Sequence, residues 1–401
     1  MAEPMGLTAS DIEFSEATPE QRQLTWELNG EAWAAPMSLG DYVEREQHLA
    51  QHELNRDGRC QCWVLYLKGY PRQIIVSCEI VRKPALISDG QGGPAREGHG
   101  YVVTNIFTNP SYRRQGLAAF LLRRLQEQID IDGDFSVLYS DSGRNYYSSL
   151  GWPSLPSRQA TLTLSPQSPN QNQASLSPSH AAVNFTPTNP SQTRPLLPDE
   201  LSDLCELDSL HLSTRFDSLV PSDGKTHVAF LPTHAQITWH LARAAFDARK
   251  LFPRDKANSE QPPPLNAGAI TTSGRAWIYW AHDWRTRRLR VLRIVRSAML
   301  DRGSNVGVEE RVRDVRALLE AALAESASCG LANGVVVWNP EDEVTLGCKA
   351  VGNAYAAMRD APVGVKVVFD EKIDGGIPSL RWKGGKDTSV VWEENYGYCW
   401  C

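Results

Sequence analysis

The chain has 401 residues, 41% of them hydrophobic, which suggests two or three domains with buried cores. Its formal net charge of −6 argues against a nucleic-acid binder. The sequence contains no apolar run long enough to span a membrane and no signal-peptide core, so a cytoplasmic protein with reduced cysteines is expected.

Residues 12–164 are predicted to alternate between strands and helices. Thr18 and Gln21 favour a helix start there, because a threonine and a glutamine three residues later can satisfy unpaired backbone groups. A polar, glycine-rich stretch at 88–98 predicts a loop. The predicted order is strand, helix, helix, three strands, helix, strand, helix and strand, with the strands at 12–15, 63–67, 74–81, 102–108, 135–139 and 159–164.

The stretch at 101–129 organises this part of the chain. It reads YVVTNIFTNPSYRRQGLAAFLLRRLQEQI, in which β-branched and aromatic residues precede an Asn-Pro break. After the break, leucines at helical spacing predict an amphipathic helix that begins at Leu117. The sequence therefore predicts a strand, a short turn and a helix.

The junction between this strand and helix favours phosphate binding. The first N–H groups of a helix have no intrahelical partner, and the helix dipole attracts negative charge. Gly116 lets a ligand approach the backbone closely, and Ala118 keeps the helix start small. Arg113 and Arg114 add positive charge unless both are merely solvated.

The rest of the chain is predicted to contain a linker and a second folded unit. Residues 165–198 are rich in Ser, Pro, Asn, Gln and Thr, which predicts a flexible linker. Within 199–401 a hairpin, a long helix at 308–328 and a strand repeat the order of the first part. The eight cysteines include no C-x-x-C pair, so no metal site is expected.

The pattern R-x-x-G-x-A between a strand and a helix resembles the acetyl-CoA motif of the GNAT acetyltransferase superfamily. The order of elements over 12–164 also resembles the GNAT fold. The resemblance implies an α/β (mixed α+β) class, with a central mixed sheet flanked by helices. It implies a catalytic domain at 1–164 and a degenerate GNAT-like domain at 199–401. The second domain lacks the motif and is not expected to hold coenzyme A.

The same resemblance implies where acetyl-CoA, the expected co-substrate, is held. Backbone N–H groups of the central strand, at Ile106, Phe107 and Thr108, would stabilise the tetrahedral oxyanion of acetyl transfer, unless they take part in ordinary strand pairing. Asn145 either binds the pantetheine arm or caps a helix. The implied acetyl-CoA-binding residues are Ile106, Phe107, Thr108, Arg113, Arg114, Gln115, Gly116, Leu117, Ala118 and Asn145.

The resemblance also implies a catalytic acid, whereas the base stays open. Asn145-Tyr146-Tyr147 resembles the N-x-x-Y helix segment of the family, although one residue rather than two separates Asn145 from Tyr147. The resemblance implies that Tyr147 either protonates the leaving thiolate or only packs against the coenzyme. The central strand lacks the glutamate that many GNAT enzymes place there. Glu79 and Asp141 are the candidate bases, and for each the alternative is a salt-bridged surface carboxylate.

Several stretches together resemble the fungal lysine N-acetyltransferases of lysine catabolism, among them SCEIVRK, NIFTNPSYRRQGLA and WEENYGYCWC. This resemblance implies free L-lysine as the small-molecule partner, acetylated on its ε-amine in a ternary complex. Trp33 and Glu393 are the residues expected to contact it. The alternatives are another small amine, a secondary metabolite or a protein lysine as acceptor. Another class of function, a non-catalytic acyl-CoA-binding sensor or scaffold, is also an alternative.

Overall fold

The computed structural model describes residues 7–8, 10–166, 185–252, 265–296, 307–358, 363–372, 375–385 and 389–401. These residues form two mixed β-sheets flanked by helices, so the predicted mixed α/β class is confirmed. In this part of the chain no helix has the length and apolar character needed to cross a membrane.

Fifteen strands and eight helices lie in the described residues. The strands are β1 (Ile12–Glu16), β2 (Cys60–Leu67), β3 (Tyr70–Ser88), β4 (Arg96–Thr108), β5 (Phe135–Ser140), β6 (Arg158–Pro166), β7 (Thr193–Pro195), β8 (Thr226–Phe230), β9 (Gly268–Thr271), β10 (Ala276–Asp283), β11 (Arg288–Arg296), β12 (Val335–Trp338), β13 (Val363–Glu371), β14 (Ile377–Trp382) and β15 (Val390–Trp392). The helices are α1 (Pro19–Trp33), α2 (Leu39–Ala50), α3 (Leu117–Asp132), α4 (Asn145–Ser148), α5 (Leu201–Leu219), α6 (His234–Leu251), α7 (Val308–Ser328) and α8 (Asp342–Ala357).

Local signals in the sequence set several of these boundaries. Thr18 and Gln21 form the predicted capping box at the start of α1. The apolar face of α3 is buried against the first sheet, with Leu121 fully buried. The predicted loop at 88–98 is shorter than expected, because Ile87 pairs with Arg96 and extends the hairpin of β3 and β4.

The two sheets have similar central strands. The first sheet has the order β1-β2-β3-β4-β5-β14, and β8 and β15 extend it from the far end of β3. The second has the order β13-β6-β12-β11-β10-β9-β7. In each sheet one central pair is parallel, β4 with β5 and β11 with β12, and a helix connects the two strands.

The sheets exchange strands between the two ends of the chain. β6 lies in the second sheet, between β12 and β13. In return β14 pairs with β5 in the first sheet. One hydrophobic cluster includes buried residues of both sheets, among them Val137 and Trp277. The predicted domains at 1–164 and 199–401 therefore contribute to both sheets, and neither sheet ends at those boundaries.

The predicted linker at 165–198 has ordered ends. Its first two residues belong to β6, and β7 pairs with β9. The Thr188 hydroxyl donates to Glu320 Oε2 over 2.7 Å. These contacts attach the ends to the second sheet and correct the expectation of flexibility there. Residues 167–184 of the linker, and 297–306 of the junction before α7, lie outside the described residues.

Candidate active site

The neighbouring strands β4 and β5 separate at one end of the first sheet. Their parallel pairing ends with Val102 opposite Val137, although β4 continues to Thr108. In the described chain the edge of β4 beyond Val102 has no strand partner on the β5 side. Alternate backbone groups of a strand point toward each of its edges, so some N–H groups of this segment face the opening.

The three predicted oxyanion residues lie on this segment but differ in their surroundings. Ile106 lines the opening. The ring of Phe107 packs edge-on against Trp33 at 5.6 Å, and the Arg113 guanidinium lies 5.6 Å from the same ring. Arg113 Nε also donates to the Thr108 carbonyl over 3.2 Å. The contacts of Phe107 and Thr108 with Trp33 and Arg113 therefore hold this end of β4 in place.

A β-bulge in β4 brings two polar side chains together beside the opening. Glu79 pairs with Thr104 and Ser77 pairs with Phe107, so β4 has one more residue than β3 between these pairs. Asn105 lies in the bulge with φ 52°, a left-handed conformation that asparagine tolerates better than most residues. Its Nδ2 donates to Glu79 Oε2 over 2.8 Å.

Glu79 is a buried carboxylate, in contrast to the alternative of an exposed ion pair. Its side chain is held by Trp26 Nε1, which donates to Oε1 over 3.1 Å, and Arg22 Nε lies 3.6 Å from the same oxygen. Burial raises the pKa of the Glu79 carboxyl, and Arg22 opposes this shift. A carboxylate with a raised pKa accepts a proton closer to neutral pH than an exposed one does.

The predicted phosphate junction is exposed on the surface. Residues 113–116 are exposed, and Arg114 and Gly116 take left-handed φ values of 62° and 74°. α3 begins at Leu117, and within the described chain no side chain caps it. A Cβ on Gly116 would have no atom within 4 Å, whereas Ala118 packs against the core. The free N–H groups of α3 are therefore accessible to an anion.

Tyr147 is buried in the wall of the same opening. Burial raises the pKa of its phenol, and Tyr146 and Asp141 shift it in the same direction, so the hydroxyl keeps its proton at neutral pH. Asp141 is exposed in this wall and accepts the N–H of Gly376 over 2.8 Å. Asn145 is exposed as the first residue of α4, and the preceding residue occupies the cap position.

The opening leads into a cleft whose walls come from both ends of the chain. The inner cavity has an empty volume of about 1440 Å³ including its mouth, and Glu79 and Tyr147 line it. An outer cavity of about 1330 Å³ adjoins it. The residues that line both cavities are Trp33, Arg45, Asp141, Arg243, Arg285 and Trp400. The walls of the cleft are thus built partly from α6 and from Trp400 near the end of the chain.

The sequence model of one family, described as the LYC1 GNAT-like C-terminal domain, matches residues 174–401, which is more than half of the chain. The chain belongs to this family. It is an acyltransferase of the GNAT type, as the sequence predicted.

Two relatives and one solved structure are similar to this chain. A protein of Yarrowia lipolytica named lysine acetyltransferase is 22% identical over 354 residues, which cover 81% of this chain and 84% of that protein. An uncharacterized protein of Saccharomyces cerevisiae is 22% identical over 420 residues, 95% of this chain and 96% of its own. A GCN5-related N-acetyltransferase from Kribbella flavida has a TM-score of 0.47 at 14% identity, over 93% of this chain and 71% of its own.

Two carboxylates near the end of this acetyltransferase lie outside the cleft. Glu393 Oε1 is 2.8 Å from His227 Nδ1, beside the pairing of β15 with β8. Glu394 is buried and forms ion pairs with Arg215 and Arg293. Neither residue lines either cavity. The expectation that Glu393 contacts the amine is corrected, because this carboxylate has a protein partner instead.

Sequence reasoning missed several polar residues of the cleft, among them Asn105 and Arg243. Asn105 had a local signal, since an asparagine in the β-branched run VVTNIFT favours a left-handed residue and hence a bulge. Arg243 had none, because its place in the cleft depends on how the second sheet packs against the first. Trp33, which the sequence did predict, lines both cavities.

The second sheet of this GNAT enzyme repeats the separated strands but fills the gap between them. β11 and β12 pair only as far as Val291 opposite Val337. The turn Gly397–Cys399 packs there, and a Cβ on Gly397 would lie 2.4 Å from the Val291 carbonyl oxygen. Beside it remains a cavity of about 320 Å³, lined in part by Tyr396.

One group of potential metal ligands occurs in the described residues. His282, Glu325 and Cys329 place ligand atoms within 4.8 Å of one another. The Glu325 oxygens already accept from Asn266 N and Nδ2 and lie near His282 Nε2. Burial raises the pKa of the Cys329 thiol to about 12, and a protonated thiol is a poor ligand. We therefore assign no metal to this group.

Proposed function

We propose that this enzyme transfers the acetyl group of acetyl-CoA to the ε-amine of free L-lysine by direct transfer in a ternary complex. The observation that carries the proposal is the cleft that runs from the separated strands β4 and β5 to a charged cavity lined by both ends of the chain. Lysine as acceptor is supported by the Yarrowia lipolytica relative, whose name is lysine acetyltransferase.

Acetyl-CoA is proposed to bind with its pyrophosphate at the start of α3 and its thioester at the opening beside β4. The exposed junction at 113–116, the open space beside Gly116 and the uncapped helix start support the first contact. The unpaired edge of β4 supports the second, because N–H donors there would meet the carbonyl oxygen as it becomes an oxyanion.

Glu79 is the proposed base and Tyr147 the proposed acid. A lysine ε-amine has a pKa of about 10.4, so its deprotonation at neutral pH costs about 4 kcal/mol without help. The ammonium gives one proton to Glu79, and the nitrogen attacks the thioester carbon. The C–S bond then breaks as Tyr147 protonates the thiolate. The tyrosinate that this leaves takes the second proton from the amine nitrogen, which restores Tyr147. Asp141 remains the alternative base.

Residues 199–401 are proposed to shape the acceptor side and to do no chemistry of their own. Support comes from Trp239 and Arg243 of α6 and from Trp400, which line the cleft. Deleting this region cannot test the idea, because β5 would lose β14 and β6 would lose both of its neighbours. Point variants in the cleft are therefore needed.

The proposed reaction is tested by measuring thiol release from acetyl-CoA with a panel of amines and locating the acetyl group by mass spectrometry. Free L-lysine should have the highest kcat/KM and should carry the acetyl group on its ε-amine. A lysine-containing peptide should react more slowly. Exclusive acetylation of the peptide, or of the α-amine, would contradict the proposed acceptor. The enzyme is proposed to act in the cytoplasm, where its eight free cysteines would stay reduced.

A further inference from the structure

Arg243 places a positive charge in the wall of the cleft, and among the described residues no carboxylate pairs with it. It lies on α6, is half-buried and lines both the inner and the outer cavity. Within the described chain, no carboxylate forms an ion pair or a hydrogen bond with it. Its guanidinium instead lies 4.9 Å from the Trp400 ring and 5.9 Å from the Trp239 ring.

The carboxylates nearest to Arg243 are engaged by other arginines. Arg45 Nη2 donates to Glu46 over 2.6 Å, and its Nη1 lies 3.4 Å from Asp247 Oδ1. Asp283 accepts from Arg290 over 2.8 Å. These pairs leave the cleft with a guanidinium whose charge is only partly offset by its surroundings.

This arrangement costs free energy unless a ligand supplies the missing anion. Burial lowers the pKa of Arg243, and the neighbouring charge of Arg45 acts in the same direction. An arginine nevertheless stays protonated, and a buried charge without a partner is unfavourable. The two indole rings hold the guanidinium in place, and a fixed guanidinium fork matches the geometry of a carboxylate.

The phosphates of acetyl-CoA do not account for this anion. Their proposed site is the start of α3, and none of the residues at 113–118 lines either cavity. Glu79 and Arg243 both line the inner cavity. An acceptor with an amine near Glu79 therefore has room to extend toward Arg243.

We infer that Arg243 binds the carboxylate of the acceptor, so that the enzyme selects free amino acids over amines that lack a carboxylate. This inference rests on the proposed function and adds a specificity-determining residue to it. Because Arg243 belongs to α6, the contact also assigns a direct part in substrate choice to the second half of the chain.

The test compares each amino acid with its decarboxylated partner. Initial rates are measured for L-lysine and cadaverine, L-ornithine and putrescine, and L-tyrosine and tyramine, in the wild type and in Arg243→Gln. The wild type should prefer the amino acid of at least one pair. Arg243→Gln should raise KM for that amino acid about 10- to 100-fold, the range for a hydrogen bond to a charged group, and leave its partner amine unchanged.

Two further variants control for charge and folding. Arg243→Lys keeps the charge without the fork and should give an intermediate KM for the amino acid. Arg249→Gln removes an exposed arginine from the same helix. It should change neither the KM for the amino acid nor the KM for its decarboxylated partner. Unchanged turnover of the decarboxylated amine shows that a variant is folded.

The outcomes separate this inference from the proposed function. An equal rise in KM for both members of a pair would mean that Arg243 is structural and would overturn the inference. A wild type that prefers decarboxylated amines would also overturn it, while acetyl transfer stands. The wild type could instead prefer ornithine or tyrosine to lysine, and Arg243→Gln could lose that preference. This result would overturn lysine as the acceptor but support the role of Arg243 in binding the acceptor carboxylate. No acetylation of any amine would overturn both.

Discussion

The two pairs of separated strands show how one arrangement becomes a candidate active site in one sheet and a packed core in the other. Between β4 and β5 the gap opens into a cavity of about 1440 Å³. Between β11 and β12 the turn Gly397–Cys399 is packed into the gap and leaves about 320 Å³ beside it. The closing segment then continues to Trp400 and Cys401, which line the open cavity of the first sheet.

The helices that follow the two gaps, α3 and α7, differ in the charge of their first turns. The first turn of α3 contains no acid, whereas α7 carries Glu309 and Glu310 in its first turn. Acidic side chains at a helix N-terminus satisfy its dipole from within the chain and repel a phosphate. We therefore expect only the α3 junction to bind a coenzyme.

The arginines of the two regions differ in the same way. Arg293, next to the filled gap, forms buried ion pairs with Asp208 and Glu394. Arg114 is exposed beside the open gap. We therefore expect the loss of Arg293 to destabilise the fold, whereas the exposed Arg114 is accessible to an anionic ligand.

The largest expected effect is on stability at the filled gap. Arg293→Met leaves Asp208 and Glu394 buried without their shared partner, which should lower the free energy of unfolding by about 3–5 kcal/mol. Urea denaturation measures this loss. Arg114→Met at the open gap is the control and should be as stable as the wild type. A loss below about 1 kcal/mol in Arg293→Met would contradict the structural role of this cluster.

The next effect is on turnover at the open gap. Tyr147→Phe should lower kcat about 100-fold or more, because the leaving thiolate loses its acid, while the Kd for acetyl-CoA changes little. Steady-state kinetics and calorimetry measure the two quantities. Tyr146→Phe alters the exposed neighbouring tyrosine and should keep full activity. Unchanged turnover in Tyr147→Phe would reduce Tyr147 to a packing residue.

The role of Glu79 is tested through the pH dependence. Because its pKa is raised by burial, the wild-type kcat/KM should fall as the pH decreases through this raised value and protonates the base. Glu79→Gln should lower kcat/KM about 100-fold near neutral pH and abolish this acidic limb. In Asp141→Asn, kcat/KM should still fall at acidic pH as it does in the wild type. If Asp141→Asn loses this acidic limb and Glu79→Gln does not, Asp141 is the base.

The smallest effect concerns coenzyme affinity. Gln115→Glu changes only the charge of an exposed side chain beside the proposed phosphate site, so it should raise the Kd for acetyl-CoA by about tenfold or less, and less so in high salt. A larger residue at Gly116 would be less informative, because its φ of 74° would strain any other side chain.

The matching change at the other helix is the control. Glu309→Gln removes an acid from the start of α7 and should leave one acetyl-CoA bound per chain by calorimetry, as in the wild type. A stoichiometry of two in either protein would contradict the difference between the two junctions.

The parts of this molecule that could be predicted from the sequence have local causes. The capping box at Thr18 and the apolar face of α3 depend on residues a few positions apart. The junction around Gly116 was predicted for the same reason, and the structure has left-handed residues and a helix start there. Its role in binding acetyl-CoA stays a prediction.

The parts that were missed depend on contacts between distant residues. Nothing in the sequence around 159–164 indicates that this strand pairs with β12 and β13. Glu393 and Arg243 illustrate the same limit for side chains. The structure turns the first toward His227 and the second into the cleft, and only tertiary packing decides between these places.

The exchange of strands sets an order for folding during synthesis. Ser140 at the end of β5 pairs with Ile377, so this edge of the first sheet stays open until the ribosome has made β14. An unpaired strand edge is a site for wrong pairing and aggregation. We therefore expect nascent chains that stop before β14 to depend on chaperones, and native activity to appear only in chains that contain β14.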